Sequence, residues 1–459
     1  MSTERQSFES IAARLDRIPI SRWHNKLLVL LGLGILADGI DNYFSSSVLA
    51  AVLDSGFSTT TLNAYFISFT MLGWLIGAYL IGIIGDRFGR KSAMKYNLIF
   101  FGCASIAASF APNMIVLIVC RSVLGMGMGA QYAATYGSFG EYLPPKNRGQ
   151  YSGLVSTIAN FGPPIATFMA MMIIPVFTWR PLWFIVGVFG LIVCVLQHFY
   201  LEESPRWLAQ KGRIEEADAI VTRVEKNLEA KGVELAAVNY DALTQEITQD
   251  LPYSALFKGT LAKRTITFVV GMCGMNIATY TMVNWIPTIL KMNGMSLEVS
   301  LRLTTVMLIA APIGCIICAG VANHVPRKTA LIVCLLGMCV TSIVYSLQKE
   351  AIMIMAIGFI LMLFLYFYIT LICSVYATEI FPVAAKLRGV GLGNSASRIA
   401  AIVTPPGVAW LLNNFGSVSV FVAVSICLFI VAIVVAIFGV ETRHKTLEEI
   451  NEKVLFKNG

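Results

Sequence analysis

Two carboxylates, Asp38 and Asp41, and two guanidinium groups, Arg121 and Arg398, lie inside long apolar stretches of the chain, where an ionised side chain is costly and points to function. Asp38 and Asp41 are three positions apart, so a helix presents both on one face. A carboxylate so placed can carry a proton while a facing guanidinium takes or releases its charge. Arg121 is the natural partner by depth. At about 1.5 Å per residue, Asp41 lies about 21 Å above Leu27, roughly 9 Å below the far edge of a ~30 Å hydrocarbon core. Arg121 lies about 10 Å below Met114 on a stretch running the other way, so the two levels coincide. Asp41 and Arg121 are therefore read as partners, with a static buried ion pair as one reading of them. Arg398 stands about 13 Å into its own stretch, near the midplane, and no acidic residue shares that stretch. A guanidinium lining a central cavity can clamp a ligand carboxylate through two parallel hydrogen bonds. Pairing with Asp38 or with another helix is the other use for it.

The elements that must hold these groups follow from composition. Of 459 residues, 57% are hydrophobic and 13% charged, whereas water-soluble domains carry about a quarter charged residues. Hydropathy places membrane helices at Leu27 to Leu53, Ala64 to Ile84, Met94 to Ala111, Met114 to Phe139, Leu154 to Phe177 and Leu182 to Tyr200. A second six follow at Ile266 to Leu290, Leu303 to Ala322, Ala330 to Leu347, Ala351 to Tyr376, Val390 to Leu412 and Val418 to Val440. The expected architecture is an all-α membrane protein of twelve transmembrane helices in two six-helix halves. It divides into an amphipathic cytoplasmic segment (1–26), an N-terminal bundle (27–200), a charged central loop with helices (201–265), a C-terminal bundle (266–440) and a cytoplasmic tail (441–459).

Threaded with the N-terminus inside, these helices leave only Arg180, Lys291, Arg302 and Lys349 outside, which follows the positive-inside rule. The net charge of +8 falls in short clusters between apolar runs rather than on one basic face, so nucleic acid is not an expected partner. No leader cleavage is expected, and compact loops favour a bacterial inner membrane with both termini cytoplasmic. Ile11, Leu15 and Ile18, beside Arg14 and Arg17, read as a short amphipathic helix on the inner membrane surface. The ten cysteines lie in apolar segments; Cys315 and Cys318, spaced C-x-x-C, read as buried inert thiols rather than a metal site. Gly125, Gly127 and Gly129 read as close helix contacts, since a membrane helix excludes a nucleotide-binding loop. No motif of an enzyme is found and no cofactor is expected, so a proton gradient is left as the energy source.

The halves echo each other: Glu141-Tyr-Leu-Pro144 and Arg148-Gly149 after the fourth helix match Glu379-Ile-Phe-Pro382 and Arg388-Gly389 after the tenth. Duplicated bundles of this kind bind substrate near the midplane and work by alternating access. The loop Gly82-x-x-x-Asp86-Arg87-x-Gly89-Arg90-Lys91 resembles the signature loop of the major facilitator superfamily. Glu203-Ser-Pro-Arg-Trp-Leu208 and Glu441-Thr-Arg resemble further markers of its sugar-porter-like branch. The resemblance implies a cytoplasmic lattice in which Asp86, Glu141, Arg148, Glu379 and Arg388, with Arg87 and Arg90, bridge the halves while the protein faces outward. The second loop departs from the pattern at Asn323, His324 and Pro326, and Lys386 holds the seventh position after Glu379 where arginine is favoured, so an asymmetric lattice is expected.

Gly39-Ile-Asp41 and Arg121-Ser-Val-Leu-Gly125-Met-Gly127 resemble the paired segments of proton-coupled sugar porters, which implies Asp41 as the proton carrier and Arg121 as its counter-charge, and Asp38-Gly-Ile-Asp41 resembles aromatic-acid:proton symporters. Asn394-x-x-x-Arg398 is similar to the anion-binding helix of organic-acid and niacin transporters. Hexose recognition is weakened by Gly274, Met275 and Ser156, which stand where sugar porters carry glutamines. Asn160, Asn276, Tyr280, Asn284, Trp285, Tyr366 and Tyr376 remain as candidate pocket residues, each equally open to ordinary packing. The expected function is proton-coupled symport of a small organic metabolite, carboxylate-bearing like a sugar acid or aromatic acid, by a monomer in the lipid bilayer. The alternatives are a transporter of a neutral sugar or polyol and, from another class, a nutrient receptor without net transport.

Overall fold

The computed structural model describes residues 2–236, 253–321, 324–381 and 383–441. The N-terminal half contains α1 (Ser2–Arg17), α2 (Arg22–Asp54), α3 (Thr60–Phe88), α4 (Arg90–Ser109), α5 (Met114–Tyr142), α6 (Pro145–Asn160), α7 (Gly162–Phe177) and α8 (Arg180–Tyr200). Two short helices, α9 (Pro205–Gln210) and α10 (Ile214–Glu229), lead into the insert, which closes on a 3-10 turn at Tyr253–Phe257. The C-terminal half contains α11 (Gly259–Met292), α12 (Leu297–Leu308), α13 (Ala310–Val321), α14 (Arg327–Ser346), α15 (Ala351–Thr370), a π-helical turn at Leu371–Tyr376, α16 (Ala377–Glu379) and α17 (Val383–Phe438). No strand occurs among the described residues.

Ten of these helical runs are long and apolar enough to cross a membrane. Twelve crossings result. The run Arg388–Phe438 is two spans in one, broken at Gly416, whose φ of 78° only glycine adopts without strain. The twelfth, α4, is as long as a span but less apolar, because Arg90, Lys91 and Lys95 occupy its first turns. Side chains cap the starts of α3 and α5: Thr59 accepts from the Leu62 amide at 3.2 Å and Asn113 from the Val116 amide at 3.0 Å. Several spans extend beyond the hydropathy limits, since a helix can continue past its apolar run; α11 starts at Gly259 rather than Ile266.

Within the N-terminal half α3 packs along α5 and α4 along α8; in the C-terminal half α17 packs along α11 and α14. The halves meet where α3 lies on α17, α2 on α11 and α7 on α12. The polar bonds that join them concentrate at the end of the bundle remote from the insert. Lys291 pairs with Asp54 at 2.7 Å, the Thr60 hydroxyl donates to Asn413 Oδ1 at 2.7 Å, and the Ser68 hydroxyl donates to the Ile402 carbonyl at 2.7 Å.

The α1 helix corrects one expectation. Its apolar stripe is used by protein rather than offered to lipid: Ile11, Leu15 and Ile18 are 3%, 1% and 1% exposed, packed against Trp207, Leu208, Val221 and Val224 of α9 and α10. Charge fixes the register. Arg14 and Arg17 both reach Glu225, at 2.6 Å each, and Arg14 also pairs with Asp218. An amphipathic stripe does not reveal its partner, and α10 supplies the complementary one.

Burial alone would raise the Glu225 carboxyl, but the hydrogen bonds from Arg14 and Arg17 outweigh it and hold the group below its ordinary value of 4.5. A depressed carboxylate contributes stability that is complete above the ordinary value and is lost as pH falls through the lower, folded value. Glu225→Gln should therefore speed amide exchange across residues 10–17 at pH 7, and acidification of the wild type below about pH 4 should do the same. Unchanged exchange in both would mean that the apolar stripe alone docks α1.

Candidate functional site

Arg121 and Asp41 form a direct ion pair, and at 1% and 0% exposure they are among the most deeply buried charges described. The depth match anticipated from the sequence is present. The guanidinium lies over the rings of Trp183 and Phe66, with centroids at 5.1 and 5.4 Å, and these cation–π contacts replace part of its lost hydration. Asp41 Oδ1 has no hydrogen-bond partner, and neither does either carboxylate oxygen of buried Asp38. The cluster thus holds two carboxylates and one guanidinium. Beside it is a small cavity lined by Asn42, Ser45, Thr70, Arg121 and Asn284, so a residue of the other half reaches the charge cluster.

Glycine packing brings these helices together. A Cβ on Gly73 or Gly77 of α3 would lie 2.1 or 1.8 Å from the carbonyl oxygens of Ser122 and Met126, and one on Gly125 or Gly129 of α5 would meet those of Thr70 and Trp74 at 2.2 and 1.9 Å. The α3–α5 seam is therefore backbone on backbone. Gly127 points the other way, toward Phe101 of α4.

Arg398 lies across the interface from this seam. Its guanidinium carbon is 3.5 Å from the ring centroid of Trp74, close enough that the two planes must stack, and its Nη1 donates to the Tyr280 hydroxyl at 3.3 Å. Nε is buried and unbonded. Tyr132 continues from Trp74 at 6.0 Å between ring centroids and Tyr136 from Tyr132 at 5.6 Å. Tyr132 lies within electrostatic range of both Arg398 and Asp38, and Tyr43 of Tyr280, Tyr366 and Arg398. These aromatic residues of the N-terminal half were absent from the sequence reading. Nothing in the sequence separates them from lipid-facing aromatics such as Tyr79, which is 73% exposed.

The candidate pocket residues separate into three groups. Tyr280 accepts from Arg398, Tyr366 lies beside Tyr43, and Asn284 lines the small cavity at the charge cluster. Asn276 and Trp285 are buried in α11 with Nδ2 and Nε1 unbonded, while Asn160 turns its amide back to the Ser156 carbonyl at 2.8 Å and so caps its own helix. Tyr376 is corrected: its hydroxyl exchanges hydrogen bonds with the backbone of Val440 at 3.2 Å, at the insert end of the bundle, where it anchors the last span rather than lining the chamber.

At that end each half builds the same charge unit. Arg90 Nε donates to Glu141 at 2.8 Å and its Nη1 pairs with Asp86 at 2.7 Å; Arg327 Nε donates to Glu379 at 3.1 Å. Glu203 accepts from the amides of Arg90 and Lys91 at 2.7 and 3.1 Å, and Glu441 from those of Arg327 and Lys328 at 2.7 and 3.0 Å. Each helix start, α4 and α14, thus carries a carboxylate on its exposed amides. Arg327 was overlooked because the loop before it departs from the signature, yet it performs the part of Arg90. Arg87 covers Phe88 and Arg388 covers Tyr253, each at 5.4 Å. In this conformation Asp86, Glu141 and Glu379 pair within their own halves; the side chain of Arg148, Lys386 and all of Asn323 lie outside the described residues.

Residues 34–454 match the family model described as sugar (and other) transporter. The chain belongs to this family of the major facilitator superfamily. It is 36% identical to the inner membrane metabolite transport protein YdjE of Escherichia coli over 97% of this chain and 99% of that one. It is 26% identical to the niacin transporter NiaP of Acinetobacter baylyi over 96% and 99%. The fold is similar to the inward open conformation of the xylose transporter XylE from E. coli, with a TM-score of 0.74 at 17% identity, covering 93% of this chain and 98% of that one. The protein is thus a small-molecule transporter of twelve spans, not an enzyme.

Placing a side chain on the α3–α5 seam tests how rigidly this transporter holds its site. Gly129→Val should lower stability by roughly 1 to 3 kcal/mol, the usual cost of overpacking, and reduce Tm accordingly. Gly137→Ala, where a Cβ meets open space, should leave Tm unchanged or higher.

Proposed function

We propose that this transporter is a proton-coupled symporter that imports a small carboxylate-bearing metabolite across a bacterial inner membrane. The observation that carries the reading is the facing pair of sites: two carboxylates on one guanidinium in the N-terminal half, and a guanidinium with a free edge in the C-terminal half. In the first site the groups leave one negative charge in excess, and a proton cancels it. Asp41 carries the coupled proton, Arg121 stabilises its ionised form, and Asp38 shares the load. In the second site Arg398 binds the substrate carboxylate, with Tyr280 and Tyr366 beside it. A membrane potential negative inside opposes anion entry by about 2.3 kcal/mol per charge per 100 mV, and co-transported protons offset that term. The likeness to a niacin transporter supports an acid as cargo, because niacin is a carboxylic acid.

The insert, the Asp86 loop and both termini are assigned to the cytoplasm, because the basic loops gather at that end. The halves are joined at the other end, by Asp54–Lys291 and Thr60–Asn413, so this conformation is inward-facing. In the outward-facing conformation the insert ends come together, and the charged groups there are available to bridge the halves.

Two substitutions test the sites separately in proteoliposomes. Asp41→Asn should abolish accumulation driven by a proton gradient while leaving exchange at equal concentrations partly intact; wild-type accumulation would remove Asp41 from the coupling role. Arg398→Lys should cost a carboxylate substrate roughly 1.5 to 3 kcal/mol, about a ten- to hundredfold loss of affinity, because an ammonium cannot form two parallel bonds. If the best substrate is an uncharged sugar that Arg398→Ala still carries normally, the neutral-sugar reading replaces the anion reading.

A further inference from the structure

Arg398 is held from the opposite half of the molecule, and the way it is held assigns a part to Trp74. A separation of 3.5 Å between guanidinium carbon and indole centroid lays the guanidinium flat on the ring, which covers one face and leaves its edges free. One edge is engaged, since Nη1 donates to Tyr280 at 3.3 Å. Nε, on the opposite edge, is buried and unbonded. A carboxylate lying in the guanidinium plane can accept from Nε and its neighbouring Nη2 together without displacing either the indole or Tyr280.

Trp74 also completes a series of contacts. Along α3 from Thr60 to Ser68 to Trp74, the partners on α17 run from Asn413 to Ile402 to Arg398. Fourteen residues of one helix thus match fifteen of the other in antiparallel register, about 21 Å of continuous seam. The seam begins at the closed end of the bundle and ends at the arginine. Parting the halves at that end must break Thr60–Asn413 and Ser68–Ile402 and strip the indole from the guanidinium. Trp74 cannot follow Arg398, because its backbone carbonyl is packed on Gly129 of α5, where a Cβ would lie 1.9 Å away.

We propose that Trp74 is the positioning residue of the anion site and the innermost rung of the gate: it sets the guanidinium plane from across the interface and shuts over the arginine when the outer end closes. The anion-site half of this inference rests on the reading of Arg398 as the carboxylate ligand; the gate half does not. The site is then complete only in conformations where α3 and α17 are joined. Substrate entering from the outer side meets an arginine without its wall, and closure supplies the wall.

Two measurements on the full-length protein in nanodiscs separate the two halves. The first needs no ligand: hydrogen–deuterium exchange over residues 60–74 and 398–413. A lost cation–π contact corresponds to about a two- to thirtyfold change in an opening equilibrium, so Trp74→Leu and Arg398→Ala should each speed exchange within that range. Trp74→Phe, which keeps an aromatic face, should stay near wild type, and the double variant Trp74→Leu/Arg398→Ala should exchange no faster than either single one. The second is equilibrium binding of nicotinate, benzoate and glucuronate, with nicotinamide as the neutral comparison. The tightest acid should lose about tenfold in affinity in Trp74→Leu and recover in Trp74→Phe, while nicotinamide changes less than twofold. Equal exchange in all variants, or additive effects in the double variant, overturns the gate. Binding of an acid that depends on Arg398 but not on Trp74 overturns the positioning role alone. If no acid binds the wild type while the exchange pattern holds, the anion reading of Arg398 falls and Trp74 stands only as the gate contact.

Discussion

An ion pair sealed in an apolar bundle is the constraint around which the rest of the structure is arranged. Arg121 and Asp41 are at most 1% exposed, and such a pair is tolerated only where geometry and neighbouring dipoles replace the lost water. The replacement is visible in the indole and phenyl rings that the guanidinium lies over. It is incomplete, because Asp38 brings a second carboxylate with neither oxygen hydrogen-bonded. A static pair has no use for that extra acid. A site that alternately holds and releases a proton does, since the charge count balances in only one protonation state.

The insert end shows how a duplicated fold reuses one electrostatic device. Each half starts a helix with an arginine, places a carboxylate on the exposed amides, and turns the arginine toward a glutamate at the end of a neighbouring helix. Helix starts carry a partial positive charge, so the capping carboxylate and the arginine's partner neutralise two separate charges rather than compete for one. The copies are unequal: Arg90 has Asp86 as a second acid, and the aligned segment before Arg327 has Asn323, His324 and Pro326. The N-terminal half therefore has the spare carboxylate, and it is exposed, 73% for the Asp86 side chain, where a partner from the other half can reach it.

What could be read in the sequence divides along a physical line. Charges in apolar runs announce themselves, so Asp41, Arg121 and Arg398 were legible, and so were twelve spans, because hydropathy and glycine–proline punctuation operate over lengths of about 20 residues. Aromatic side chains carry no such mark: Trp74, Tyr132 and Tyr136 form a row of rings that starts at Arg398, while Tyr79 and Tyr96 are exposed at 73% and 57%. Tyr376 was grouped with the pocket by residue type, which does not reveal that its hydroxyl meets the backbone of Val440, 64 residues on. The α1 helix was legible as amphipathic and illegible as to partner, since lipid and α10 both satisfy an apolar stripe flanked by arginines. The binding between halves was the least legible of all, because it depends on register between helices hundreds of residues apart.

That register has a mechanical consequence. The α3–α5 seam is backbone against backbone through Gly73, Gly77, Gly125 and Gly129, so α3 and α5 move as one body. On that body lie Arg121, which pairs with Asp41, and Trp74, which stacks on Arg398. A shift of this body relative to both α2 and α17 would change the Asp41–Arg121 pair and the Trp74–Arg398 stack together. The proposed symport requires two ligands to be sensed by a single motion. A rigid two-helix body carrying one residue for each ligand meets that requirement without any relay of side-chain rearrangements between them.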